Sequence, residues 1–249
     1  MRNIALKCSY IGTKYHGFQI QNNAVTVCSV MQDTLKGILG EDILVKGSSR
    51  TDAGVHAEGF VLCVYTDSGI PCTNLLRAMN SRLPSDIAVL NAVEVDQDFH
   101  PRYSALGKKY VYRILSSKVK NPFLHDRAWH YNREIFIEKI LQGSDMLKGK
   151  HDFKGFSSKS SIDDTVRTIF DISVKRLGDI LEIWVYGDGF LYNMVRIIVG
   201  TLIGLSEGTL CTDDILEILS SGDRRRAGIT APAHGLYLHS VIYKDDPFK

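Results

Sequence analysis

Residues 4–9 read as a strand, with apolar and polar positions alternating through Leu6, Lys7, Cys8 and Ser9, the period of a half-buried strand. The spacing changes at Met31, Leu35, Ile38 and Leu39, which predicts a helix that starts at Ser29, with Gln32 as its capping partner, and stops at Gly40. Ile43 and Val45 alternate again, and "GFVLCVYT" is a β-branched and aromatic run, so strands are expected at about 43–48 and 59–66. A second helix, capped by Thr73, carries Leu76, Met79 and Leu83 and ends before Pro84; a strand at 87–95 follows. The order is β-α-β-β-α-β.

The second half repeats that order. "GKKYVYRIL" at 107–115 predicts a strand, 132 to about 148 a helix capped by Asn132, and "TVRTIFDISVKRL" with "DILEIWVYG" two strands around Gly178. An apolar helix at 190–206, a short helix capped by Thr212 and a last strand in "GLYLHSVIY" complete it. Two tandem split-βαβ units of this kind predict an α+β fold, ferredoxin-like in each half and related by a pseudo-twofold axis. Their antiparallel sheets, with helices on one face, would join edge to edge into one long sheet with a cleft on its open face. The expected halves are 1–104 and 105–249, joined through "DQDFHPRYSALGKK" without a Pro/Gly/Ser-rich linker, as one closely packed body.

Composition narrows the classes. In 249 residues, 44% are hydrophobic, enough for a sizeable core. Thirty Lys and Arg against 28 Asp and Glu leave a formal charge of +2, too balanced for a chain that coats nucleic acid unselectively. A polyanion must therefore meet a local patch. The five cysteines (Cys8, Cys28, Cys63, Cys72, Cys211) are scattered and form no CxxC pair, which argues for reduced thiols in the cytoplasm and against a zinc site or a disulfide framework. The chain starts directly with strand-like alternation, so no export signal is expected. The apolar stretch 189–206 is interrupted by Asn193, Arg196 and Thr201 and lacks basic flanks, which favours a buried helix over a membrane span.

Two features carry candidate chemistry. "GSSRTDAGVHA" at 47–57 is longer than a plain strand connection needs; Gly47 and Gly54 permit backbone angles closed to other residues, and Asp52 lies between them beside Arg50. It reads either as an Asx-turn with a surface charge pair or as a carboxylate held out on a rigid loop for chemistry. Arg196, the one charged residue of its helix, either snorkels to the helix edge or is buried and needs a partner, because it cannot shed its proton. Asp52 is the natural candidate partner, and pairing would hold it ionised and able to act as a nucleophile.

At this point a resemblance enters. "GSSRTDAGVHA" resembles the G-R-T-D-x-G-V-H-A segment of the tRNA pseudouridine synthase A family. Six further segments in the same order extend the likeness over nearly the whole chain: "YIGTKYHGFQ", "FHPRYSALGKKYVYRI", "HDFKGFSS", "TVRTI", "FLYNMVRIIVG" and "APAHGLYLHSVIY". The resemblance implies that Asp52 is the catalytic aspartate, attacking either ribose C1′ or the uracil ring. It implies that Arg50 fills the space left by an extruded uridine, that Tyr110 stacks on the flipped base, and that Arg196 holds Asp52. It further implies a homodimer acting on uridines on the 3′ side of the tRNA anticodon stem-loop, with no cofactor, metal or membrane. The chain departs from the family pattern at Ile11, usually aspartate, at Ser49, usually glycine, at Pro101, usually alanine, and along "IQNNAVTVCSVMQ". None of these touches Asp52, Tyr110 or Arg196.

The remaining polar residues read less sharply. His56, four residues after Asp52, is expected to be a structural loop histidine, since no further metal ligands accompany it. "DRRRAG" at 223–228 is either a phosphate-binding patch or a solvated turn. Lys108, Lys109, Arg113, Lys118 and Lys120 would suit an RNA backbone, Lys108 and Lys109 as substrate contacts, although interspersed charge also describes ordinary surfaces. Two other classes compete. A non-catalytic RNA-binding protein of the RRM type would carry a K/R-G-F/Y-G/A-F pattern, which this chain lacks. An aspartyl phosphotransferase would want a second acid near Asp52, and none occurs before Glu58.

Overall fold

β1 (Arg2–Tyr10) is buried on both faces from Asn3 to Leu6 and is hydrogen-bonded along both edges. The computed structural model, which describes residues 1–158 and 164–249, divides into two compact units, residues 1–106 with 237–249, and residues 107–236. In the first unit β1 pairs antiparallel with β3 (His56–Thr66) and β4 (Ile87–Val95), while the two-residue β2 (Lys46–Gly47) pairs with β3. Helices α1 (Val27–Leu39) and α2 (Cys72–Arg82) complete the predicted β-α-β-β-α-β order.

Several boundaries differ from the sequence expectation for local reasons. Helix α1 starts two residues before Ser29, because Thr26 and Ser29 form a reciprocal capping box in which each side-chain oxygen accepts the other's backbone N–H at 3.1 Å. It stops at Gly40 as predicted, in the left-handed conformation (φ +71°). Helix α2 starts after Pro71 rather than at a Thr73 cap, and buries Leu75 with Met79 in place of Leu76. It ends at Leu83, whose extended backbone is what the following Pro84 requires. Ile43 and Val45 are buried, yet only Lys46 and Gly47 join the ladder.

In the second unit, β5 (Ala105–Ser116), β9 (Ile180–Gly187), β8 (Val166–Leu177) and β7 (Gly149–Asp152) are hydrogen-bonded in that order, all antiparallel. Gly178 (φ +61°) turns the β8–β9 hairpin, as expected. The predicted cap at Asn132 is not one. Residues Trp129–Tyr131 instead form β6, parallel to β5, and α3 begins only at Ile137 (Ile137–Leu147). Helix α4 (Met194–Glu207) also starts later than predicted, after Asn193, and is buried almost all round. Helix α5 (Thr212–Ser221) is capped from Cys211 and Asp214, whose carboxylate accepts the Cys211 N–H at 2.7 Å. Among the described residues no helix is long and apolar enough to cross a membrane.

The last strand, β10 (Leu236–Tyr243), was expected in the second half, but residues from Tyr237 onward group with the first unit. The reason is long-range pairing: Tyr237 and Leu238 run parallel to His56 and Ala57 of β3, and the Tyr243 hydroxyl donates to Pro101 O at 2.7 Å. All five cysteines are free; Cys8, Cys28 and Cys63 are buried, Cys72 is half-buried and Cys211 exposed. Burial pushes the Cys28 thiol up to about 11 and, against the opposing charge of Lys46, the Cys63 thiol up to about 12.

Candidate active site

The segment before α1 explains why the 47–57 loop is so elaborate. Phe18 N donates to Thr51 O at 3.1 Å, Gly54 N donates to Tyr15 O at 3.3 Å, and the Tyr10 and Thr51 hydroxyls share a 2.8 Å hydrogen bond. The other side of that segment is tied to the helix start, where Val27 N and Cys28 N donate to Gly17 O and Phe18 O. Two sequence-distant stretches, "YIGTKYHGFQ" and "GSSRTDAGVHA", are therefore one fastened structure. The loop tip is a β-turn closed by Val55 N donating to Asp52 O at 3.1 Å, with Gly54 at its third position (φ +78°) as a type II turn demands. Gly47 does not need an unusual backbone angle; it needs to lack a side chain, because the Phe18 ring, stacked on Phe60 at 4.2 Å, lies against it.

Gly17 is the tightest point of this clamp. It adopts φ +82°, and a Cβ there would overlap the Thr51 carbonyl oxygen. Replacing Gly17 with alanine is expected to cost roughly 2–4 kcal/mol of stability, from backbone strain and steric overlap together. Urea unfolding gives the stability change, and turnover measured below the new midpoint should still be reduced, because the residue beside Asp52 must move.

On this loop Asp52 is half-buried and Arg50 exposed, so the pair sits at the surface of a rigid support. His56 is fully buried, its Nδ1 accepts the Gly12 N–H at 3.0 Å, and its ring lies 4.6 Å from that of Tyr237. That arrangement makes it a packing residue that fixes the end of the loop, as expected. Ile11, where an aspartate is usual in the resembling family, stands at the N-cap of the short 3-10 turn Gly12–Lys14 and provides no side-chain cap; its own N–H donates to Asp86 O.

In the second unit, Lys108, Tyr110 and Tyr112 share one face of β5, and Lys109 projects from the other, with its ammonium 5.2 Å from the Tyr186 ring. Lys109 is thus separated from Tyr110 by the strand itself. Tyr110 is 6% exposed and meets Phe190 edge to face at 5.1 Å. Arg196 lies in the first turn of α4, where its Nε donates to Ala231 O at 2.7 Å and its Nη1 to Asn193 Oδ1 at 2.8 Å. Ala231 N returns a bond to Arg196 O at 3.1 Å, so the guanidinium and its own backbone clamp residue 231 together. Asn193 presents its acceptor from a left-handed backbone (φ +61°), a conformation asparagine tolerates better than most residues. The Tyr112 hydroxyl donates to the neighbouring Pro232 O at 2.8 Å; burial raises that phenol well above its ordinary range, while Arg196 pulls the other way. Ala231, Asn193 and Tyr112 are supporting residues that no local sequence signal distinguishes.

The profile of a family described as tRNA pseudouridine synthase matches residues 8–104 and 144–244. Proteins named tRNA pseudouridine synthase A are similar over almost the full chain. That of Thermoanaerobacter sp. (strain X514) is 45% identical over 244 residues, 98% of this chain and 100% of that protein. That of Acetivibrio thermocellus is 46% identical over 244 residues, with the same coverage. The chain belongs to the tRNA pseudouridine synthase family. It is accordingly an isomerase of the pseudouridine synthase class. Arg50, Asp52 and Arg196 fall inside the stretches matched by the family profile, and Lys108, Lys109 and Tyr110 fall between them.

The arginine run of this family member turns out to be internally engaged. Arg224 donates to Ala227 O and Thr230 Oγ1, Arg225 grips Asp223 with two nitrogens at 3.0 and 2.8 Å, and Arg226 pairs with Glu217. Arg225 holds the Asp223 carboxyl down at about 2. Two of the three cations are thus paired within the turn, and the third is turned onto Ala227 O and Thr230 Oγ1. Arg113 is likewise engaged, at 3.0 Å from Glu182.

Proposed function

We propose that this chain isomerises uridine to pseudouridine in the anticodon stem-loop of tRNA, with Asp52 as the nucleophile. The observation that carries the reading is Asp52 itself: a half-buried carboxylate on a loop fastened by backbone bonds on both sides, in a chain of this family. Asp52 attacks ribose C1′ or the uracil ring, the N1–C1′ bond breaks, the uracil turns, a C5–C1′ bond forms, and the bond to Asp52 breaks so that its carboxylate is regenerated. The C5 proton leaves to solvent and N1 gains one, so the product has the composition of the substrate and no cofactor or metal is required.

A base in a stem is out of reach until it leaves the stack. Arg50, exposed two residues before Asp52, fills the gap, and Tyr110 receives the base while Lys108, on the same face of β5, contacts the RNA. Arg196, whose fork is held in place by Ala231 and Asn193, keeps Asp52 ionised. The same reading carries a homodimer working in the cytoplasm. The test is tritium release from tRNA transcripts labelled at uridine C5. Release at catalytic protein concentration supports the proposal; retention of all label, with tRNA bound, contradicts it.

A further inference from the structure

The loop 117–127 carries side chains that the fold does not use. Phe123 is 93% exposed and Val119 75% exposed, more than any other large apolar residue described in this unit. The loop that carries them is nonetheless well fastened. Asn121 Oδ1 accepts the Phe123 N–H at 3.0 Å, Leu124 N donates to Asn121 O at 3.0 Å, and Arg127 N donates to Leu124 O at 2.9 Å. At its base the Ser117 hydroxyl donates to Val119 O at 3.0 Å, and the His130 ring bonds Ser117 O. An aromatic ring displayed from a built turn has a fixed direction and loses little freedom on binding.

Its charge points to the kind of partner. Lys118 and Lys120 flank Val119, are exposed, and form no ion pair among the described residues. With Arg127 they make three cations against one carboxylate, Asp126, which faces His125 at 3.2 Å. A flat apolar ring on the same short loop as two exposed lysines suits an unstacked base and its phosphates. A protein partner would need a matching acidic patch, whereas RNA brings phosphates next to every base. His234, pushed down mainly by burial, senses the charges of Asp126 and His125 from this loop and of Arg196 from α4. The loop falls in the interval that the family profile leaves unmatched.

We propose that the 117–127 loop is a second RNA contact, in which Phe123 stacks on an unpaired base of the bound tRNA while Lys118 and Lys120 engage the adjoining phosphates. The inference rests on the tRNA reading above. Binding and turnover of a tRNA transcript by the full-length protein test it. Phe123→Ala should raise Kd and KM about tenfold, with the loss falling on KM rather than kcat. Phe123→Trp should restore affinity, because stacking survives, and Phe123→Leu should not. The double change Lys118→Ala and Lys120→Ala should flatten the slope of log K against log salt by about two.

Full activity of Phe123→Ala, or a leucine as good as the native ring, overturns the loop proposal while leaving the tRNA reading intact. A halved mass of Phe123→Ala in sedimentation overturns it as well, since the loop would then join copies of the chain. Native protein that neither binds nor turns over tRNA overturns both readings.

Discussion

Asparagine in place of Asp52 is expected to abolish tritium release from C5-labelled tRNA, a loss of at least about 10⁴-fold, with folding and tRNA binding retained. The substitution keeps the shape of the side chain, removes its negative charge and turns one acceptor oxygen into a donor nitrogen. The turn that carries it is closed by backbone atoms, Asp52 O with Val55 N and Thr51 O with Phe18 N, which the change leaves untouched. A fall in activity therefore reports on chemistry and not on the loop. Retained turnover by the asparagine variant would remove Asp52 from the nucleophile's role and favour a protein that only binds RNA.

The second large effect is expected at Arg196. A lysine there keeps the charge, yet its single ammonium cannot reproduce the planar fork that reaches Ala231 O and Asn193 Oδ1 together. We expect Arg196→Lys to lower stability by about 1–3 kcal/mol, from partly buried acceptors losing their donors. Activity should fall more, about 100-fold or beyond, because positioning is lost along with the bonds. Denaturant midpoints and single-turnover rates separate the two effects. A lysine variant of native stability and native rate would show that charge alone suffices at this position.

How far the sequence reveals this molecule differs by element. The order of strands and helices is legible because apolar periodicity is local, and the α1 stop at Gly40 and the β8–β9 turn at Gly178 come from residues with few alternatives. The errors fall where a distant partner decides. Residues 129–131 become a strand only because β5 is there to pair with, which displaces α3 from Asn132 to Ile137. The last strand joins the first unit through β3, in the Tyr237–His56 register pair, whose members lie 181 positions apart.

At the site the same division holds. Asp52, Arg50 and Arg196 stand out by type and setting, and Tyr110 only through the family resemblance, but what holds them does not stand out. Phe18 N, Tyr15 O and Ala231 O are backbone atoms of residues with no chemical signature, and Gly17 reveals its purpose only once Thr51 is seen against it. Alternation along β5 would have separated Lys109 from Tyr110 at the outset, since neighbouring residues of a strand face opposite ways. The arginine run at 224–226 misleads for the opposite reason: its cations look available in sequence, and Asp223 and Glu217 neutralise two of them in the fold.

The central claim is that this chain converts uridine into its C-glycosidic isomer in tRNA. The most direct test is nucleoside analysis of tRNA transcripts before and after incubation with the native protein, with the modified position then mapped. The account predicts a product of the same mass as uridine, formed on the 3′ side of the anticodon stem-loop and absent with the Asp52→Asn protein. An unchanged nucleoside profile, from transcripts that the protein demonstrably binds, would contradict it.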